Sequence, residues 1–303
     1  MAIHNVTAVD RSDRPMKVGN KPFVVPDAER LVRFTEEDST EVIEFLNARP
    51  VHTVVMASFL KDNGFKSKYN RGGYYGYRGK DRSLEGVALI GHSTLVEART
   101  EEALIAFAIE AGRSEFPVHV MMSEGRVIER FWEIYKDPGA EPRHVFTEKL
   151  FELNFPFLVR ECEWQVRPAT KDMLREVAEA HAETAFIESG TNPLETDLEG
   201  FRERCLRRIE QGRTFVATES GKLFFKADVV AETEEVIYLE GVYVAPELRG
   251  RGVAPKCLSK LSAELLERVP NVCMLSNLKF ESAHRSFERA GFRSTNSCTT
   301  IFV

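Results

Sequence analysis

Long apolar runs are absent from this 303-residue chain: no stretch approaches the roughly 20 apolar residues that a membrane span needs. The first thirty residues mix charges, prolines and short apolar pieces, which excludes a signal-peptide core. Cysteine is scarce. The five thiols (Cys162, Cys205, Cys257, Cys273 and Cys298) are odd in number, lack C-x-x-C spacing and all fall in the second half. That pattern excludes a disulfide framework and a zinc ribbon, and fits buried reduced thiols in a cytoplasmic protein. The seven histidines are scattered without metal-ligand spacing, so no metal is assigned. A basic excess is missing too, the net charge being −6. Up to residue 158 there are 21 Lys+Arg against 24 Asp+Glu, and beyond it 20 against 23. Neither half offers the basic face of a general nucleic-acid binder.

What is present is a soluble composition, 43% hydrophobic and 29% charged, long enough for two cores. Residues 1–29, with Pro15, Pro22 and Pro26, read as a loose arm. Two stretches then open alike. Val32-Arg33 precedes a helical run from Asp38, and Val166-Arg167 precedes another from Asp172, at the same offsets. Each is followed by a strand–turn–strand pattern (Tyr74–Tyr77 and Leu84–Ile90; Thr214–Thr218 and Leu223–Val230) and then by alternating helices and strands. Asn154-Phe155-Pro156 marks a boundary, giving domains over 30–157 and 158–303, each a mixed α/β fold. Tyr69, Tyr74, Tyr75 and Tyr77 beside Arg71 and Arg78 could stack bases, but a strand of the first sheet explains them better.

The chemistry concentrates in Gly241-Val-Tyr-Val-Ala-Pro-Glu-Leu-Arg249-Gly250-Arg251-Gly252-Val253-Ala254-Pro255. An apolar strand ends at Val244, a turn centres on Pro246, and Pro255 opens a helix whose Leu258, Leu261, Leu265 and Val269 share one face. Gly250 and Gly252 let successive N–H groups converge on an anion, the helix dipole adds attraction, and Arg249 and Arg251 can add charge-assisted bonds. This is a pyrophosphate cradle. A dinucleotide fingerprint would need a third glycine where Pro255 stands, and a Walker loop would need Gly-Lys-Ser/Thr.

The pattern R-x-x-G-x-A after a strand and V-x-P resembles the cofactor signature of the GNAT acetyltransferase family. Ala283-His-Arg-Ser-Phe287-Glu-Arg-Ala-Gly291-Phe292 is similar to that family's A-x-x-x-Y-E-x-x-G-F. No R-x-x-G-x-G/A occurs between residues 31 and 158, so the chain looks like the bacterial tandem type: a degenerate GNAT-like domain before an intact one. The resemblance implies direct attack of a primary amine, on a small molecule or peptide, at the thioester of acetyl-CoA. Cys257 and Cys273 are then no nucleophiles. It implies that Val242, Tyr243 and Val244 bond the pantetheine arm, and that Arg249, Gly250, Arg251, Gly252, Val253 and Ala254 hold the pyrophosphate. Asn277 and Phe287 would complete the cofactor contacts. Glu240 is the candidate general base, and Glu188–Asp197 would roof the acceptor. Phe287 stands where the family has a tyrosine and has no proton to give a leaving thiolate. No nucleic-acid or membrane partner is expected, and the chain is a monomer or a homodimer. The competing reading is a regulatory protein that binds acetyl-CoA or another acyl-CoA without turnover.

Overall fold

The computed structural model describes residues 25–303, so most of the expected arm over 1–29 lies outside the described residues. The chain divides into two compact units. The first comprises the residues up to Leu46, Asp62–Phe146 and Thr299–Val303; the second comprises Asn47–Lys61 and Thr147–Cys298. These units are drawn in space, whereas the division at 157/158 is drawn along the chain, and each assigns some segments differently.

In the first unit, β1 (Leu31–Arg33) leads through a 3-10 turn into α1 (Ser39–Asn47). The helix α2 (Pro50–Asn63) follows, belonging through Lys61 to the second unit. Then come β2 (Gly72–Arg78), β3 (Leu84–Gly91), β4 (Ser93–Ala98), α3 (Glu101–Arg113), β5 (Val120–Glu124) and α4 (Gly125–Tyr135). Strands β1 to β5 lie in sequence order, antiparallel except for β4 beside β5. Tyr77, Ile90, Phe107, Met121 and Phe131 fill the core over this sheet. Tyr74 and Tyr77 of β2 are sealed, at 1% and 0% exposure, as strand core, whereas Tyr75 is half-buried and Tyr69 lies exposed on the 3-10 turn before the strand.

The second unit takes in β6 (His144–Leu153) from Thr147 onward, then β7 (Arg167–Pro168), α5 (Leu174–Ser189), the single turn α6 (Pro193–Thr196) and α7 (Leu198–Glu210). It continues with β8 (Thr214–Glu219), β9 (Lys222–Glu232), β10 (Val236–Val244), α8 (Val253–Leu265), β11 (Asn271–Asn277), α9 (Glu281–Ala290) and, through Cys298, β12 (Arg293–Phe302). The sheet order is β6-β11-β10-β9-β8-β7, antiparallel except for β10 beside β11. Apart from the extra turn α6, the elements from β7 onward repeat those from β1 onward, as the paired sequence openings suggest. Phe151, Phe225, Leu239, Leu258, Leu261 and Phe292 form the core, with Cys257 inside it. Val54 of α2 packs on Val236, Tyr238 and Cys273. Burial pushes the Cys257 and Cys273 thiols up from their ordinary range, so neither is available as a thiolate.

Helix α8 begins two residues before the expected Pro255. Val253 is its first residue, and Pro255 sits inside the first turn, where a missing N–H still breaks no intrahelical bond. The helix stops at Leu265, short of Val269, which is nonetheless buried at 5%. Gly291 ends α9 with φ +113, its N–H meeting the carbonyls of Phe287 and Glu288. A Cβ there would also lie 2.7 Å from Phe157 Cδ2. Gly291→Ala is therefore expected to destabilise the protein by about 2–3 kcal/mol, combining left-handed strain with overpacking. A fall in the urea midpoint at unchanged slope would register it.

Candidate active site

Strand β10 is buried from Val236 to Leu239 and then changes character. Its ladder with β11 pairs Val236–Leu239 with Asn271–Met274 and ends there. Beyond that point β10 follows β9 to Val244, while β11 follows β6 to Asn277. The two parallel strands therefore part, opening a cleft between their C-terminal ends. A bulge accompanies the parting. Along β9 the partners run from Glu240↔Asp228 to Tyr243↔Lys226, so Gly241 and Val242 of β10 face Ala227 alone. Gly241 has φ +60, a conformation that glycine takes without a Cβ penalty. Val242, Tyr243 and Val244 are half-buried along the rim of this opening.

At the end of β10, Pro246–Leu248 form a 3-10 turn, and the N–H groups of Arg249 and Arg251 are satisfied by the carbonyls of Pro246 and Leu248. Gly250 and Gly252 have φ +75 and +80, and a Cβ on either would meet nothing within 4 Å. Gly252 caps α8 without a side-chain acceptor, leaving the first-turn N–H groups from Val253 onward pointed out of the helix mouth. The helix mouth is open at the positive end of α8, where unsatisfied first-turn N–H groups favour an anion. The two arginines differ. Arg249 turns back on the protein: its Nε donates to the Val244 carbonyl at 2.9 Å and its guanidinium meets Glu183 at 2.5 Å. Arg251 is exposed beside the glycines.

Carboxylates gather where β10 and β11 part. Glu240 is exposed, and its Oε1 accepts the Tyr238 hydroxyl at 2.5 Å. Burial first, then the neighbouring Glu240, pushes the Tyr238 hydroxyl well above the ordinary tyrosine range. Glu188 lies near the end of α5, just before the break at Gly190. The residue as a whole is exposed, yet its carboxyl is crowded. Burial, then Glu240, then Glu148 push it up to about 7. The crowding governs protonation, because it acts on the ionising atoms. Lys279 Nζ donates to the Glu188 carbonyl at 3.0 Å, fastening the end of α5 near the start of α9.

The remaining sequence candidates fall at the margins. Asn277 ends β11, its Oδ1 accepting the Lys279 N–H and its carbonyl taking His284 Nε2 at 3.1 Å. Phe287 is 6% exposed and meets Phe151 edge-on at 5.5 Å, inside the core. Sequence reasoning singled out Glu188 only as part of a roof, and missed its proton affinity. It missed Glu148 and the buried pair Lys226–Asp228 beneath Gly241 altogether. Strand alternation alone gives no signal that charged residues on β9 face inward. Among the described residues no group of three or more His, Cys, Asp or Glu is placed to hold a metal, and no helix is long and apolar enough to cross a membrane.

Comparison with known proteins agrees with this geometry. Residues 210–294 match the family model described as an acetyltransferase (GNAT) domain, a span that contains β10, the glycine turn, α8, β11 and α9. No curated protein matches the chain by sequence. Among solved structures, a GNAT-family acetyltransferase from Colwellia psychrerythraea is similar over 90% of this chain and 99% of its own, with a TM-score of 0.55 at 14% identity. A tandem GNAT protein from the clavulanic acid biosynthesis pathway aligns over 90% and 97%, with a TM-score of 0.56 at 11% identity. A Drosophila protein reaches a TM-score of 0.68 at 12% identity, over 90% and 98%. The chain thus has the tandem GNAT fold, and its residues 210–294 match the acetyltransferase (GNAT) domain model.

Proposed function

We propose that the second unit is an N-acetyltransferase that moves an acetyl group directly from acetyl-CoA to a primary amine. One observation carries the reading: a bulged, parted β10 runs straight into a glycine turn at a helix mouth, with a carboxyl poised near neutrality at the parting. Acetyl-CoA supplies an acyl group activated as a thioester; the amine nitrogen gains the C–N bond, the C–S bond breaks, CoA leaves as its thiolate, and the second nitrogen proton, released as the amide forms, passes to that thiolate through water.

The chain's own residues do the rest. The amides of Gly250, Gly252, Val253 and Ala254, with the exposed Arg251 side chain, hold the pyrophosphate; Arg249 braces the turn against Val244 and Glu183. Backbone groups of Val242, Tyr243 and Val244 orient the pantetheine arm and present an N–H to the thioester oxygen, where it stabilises negative charge as it develops. Asn277 and Phe287 shape the cleft from behind, Phe287 through the core. An alkyl amine arrives protonated, with a pKa of about 10.4. Glu240 and Glu148 attract the ammonium, and Glu188 takes its proton, because a base near pKa 7 both holds and releases a proton at neutral pH. Phe287 has no proton to give, and CoA thiolate is a fair leaving group without a donor.

The acceptor is a small-molecule or peptide amine, and the cytoplasm is the proposed location. Thiol release measured with acetyl-CoA over a panel of primary amines, diamines and lysine peptides tests the reading. CoA release that depends on an amine supports transfer. Tight acetyl-CoA binding without release from any amine would instead identify a regulatory acyl-CoA binder.

A further inference from the structure

Strand β9 places Lys226 and Asp228 on one face of the sheet, and both side chains are sealed, at 0% and 1% exposure. A buried charge persists only if it is paired and fully bonded. Lys226 Nζ lies 2.5 Å from Asp228 Oδ2, 3.3 Å from His181 Nδ1 and 3.1 Å from the Gly241 carbonyl oxygen. Asp228 accepts the Thr214 hydroxyl at 2.8 Å and the Arg208 guanidinium at 3.0 Å, and His181 Nδ1 sits 3.1 Å from it. Burial opposes ionisation of Asp228, but Lys226, the His181 bond and Arg208 outweigh it and hold the carboxyl well below the usual range. The one backbone member of this network is the bulge glycine.

That detail fixes a direction. The Gly241 carbonyl and the Val242 N–H belong to one peptide unit, and the cis bond among the described residues is elsewhere, at Phe155-Pro156. In a planar trans peptide the two groups point opposite ways. With the carbonyl aimed at Lys226, the Val242 N–H points away from the buried network. The ladder with β9 passes over both residues, and the ladder with β11 has ended at Leu239. A Cβ on Gly241 would lie 3.0 Å from Lys226 Nζ and 3.1 Å from Asp228 Oδ2, so the network also demands glycine there.

We infer that Lys226, held by Asp228, is a positioning residue that aims and polarises the Val242 N–H toward the acyl carbonyl of bound acetyl-CoA. An ammonium on the carbonyl side of a peptide draws electron density through the amide, and its N–H becomes a stronger donor. The inference rests on the acyl-transfer reading above. A purely structural ion pair predicts something different: replacement by neutral groups of similar size would leave bound acetyl-CoA unchanged.

The test uses the full chain and acetyl-CoA labelled with 13C at the thioester carbonyl, followed by difference infrared spectroscopy. Binding to the native protein should lower the carbonyl stretch. In the double variant Lys226→Met/Asp228→Asn, which removes both charges together, most of that lowering should vanish. CoA affinity should change less than about threefold, and kcat should fall roughly 10-fold, less than the 100-fold or more of deleting an oxyanion donor outright. If the double variant fails to fold, Lys226→Gln keeps a donor for Gly241 without the charge and should give an intermediate frequency. A native-like frequency in either folded variant overturns the inference. Absence of any bound signal from the native protein overturns the acyl-transfer reading and this inference with it, so the two failures are distinguishable.

Discussion

Glu188→Gln should lower kcat roughly 100-fold, the lower end of what a positioned proton acceptor contributes. It should also remove the rise in rate expected of the native protein as pH climbs through about 7. The amide occupies the same space and cannot accept the ammonium proton, so substrate and CoA affinity should change little. Stability should move the other way. The folded protein keeps the Glu188 proton up to about pH 7, whereas the unfolded chain releases it near the ordinary glutamate value of about 4.3. Between those values the native state binds more protons, so stability is highest below the unfolded pKa and falls as pH rises through the folded one. Glutamine carries no such penalty. The variant should therefore melt higher than the native protein at pH 8 and match it near pH 4, as calorimetry at the two pH values will show. Loss of activity coupled to a gain in stability is a signature of a strained functional group, and an ordinary surface carboxylate would show neither. Glu240→Gln should lower the rate by less and shift the Glu188 limb to lower pH, because removing a neighbouring negative charge eases ionisation of Glu188.

Gly252→Val should weaken CoA binding by about one to two orders of magnitude. Gly252 sits at φ +80, and a β-branched residue there is a backbone outlier costing about 1–2 kcal/mol or more before any contact is counted. A Cβ at this position meets no protein atom within 4 Å. The new side chain would therefore stand in the open concavity where the amides converge, or the turn would rotate and carry those amides away. Either outcome falls on the phosphates. Gly250→Ala, at φ +75 with equally open surroundings, should follow with a smaller loss. Titration calorimetry with CoA separates the two, and dephosphorylated pantetheine serves as a control whose affinity the substitutions should leave unchanged. Salt should weaken native CoA binding more than it weakens pantetheine binding, since only the former depends on charge.

The parts of this fold that were legible in the sequence are those set by neighbours along the chain. The glycine turn, the strand before it and the helix after it are local features, and so is the stop at Gly291. The repeat of β1 and its helix in β7 and α5 was readable from two short matching stretches. Other elements were not readable, for identifiable reasons. Helix α2 buries Val54, Met56, Ala57, Ser58 and Leu60 at nearly consecutive positions, so it carries no single apolar stripe. Strand β4 is six residues long, follows β3 after only His92, and buries Glu97 in its interior. Helix α7 buries only Phe201, Cys205 and Ile209, set among charged residues, a stripe too thin to stand out.

The site divides along the same line. Pattern located the cradle, because a turn into a helix is written in consecutive residues. Pattern also named Glu240, which faces the parting of the strands. It could not rank Glu188 as a proton acceptor, since that property depends on burial of the carboxyl and then on Glu240 and Glu148, which come from other elements of the fold. Nor could it show that Lys226 and Asp228 are buried, because alternating charges on a strand ordinarily mark its wet face. The expectation that Arg249 reaches for phosphate met a competitor that only folding supplies: Glu183, on α5, already holds its guanidinium.

The proposed activity depends on main-chain amides at the mouth of α8 gripping the pyrophosphate of CoA. Amide-resolved magnetic resonance of the 15N-labelled chain during a CoA titration addresses this directly. The expected result is saturable shifts at Gly250, Arg251, Gly252, Val253 and Ala254, joined by Val242 to Val244 along β10. Unmoved resonances at the glycine turn with CoA at millimolar concentration, or shifts confined to the first unit, would contradict it.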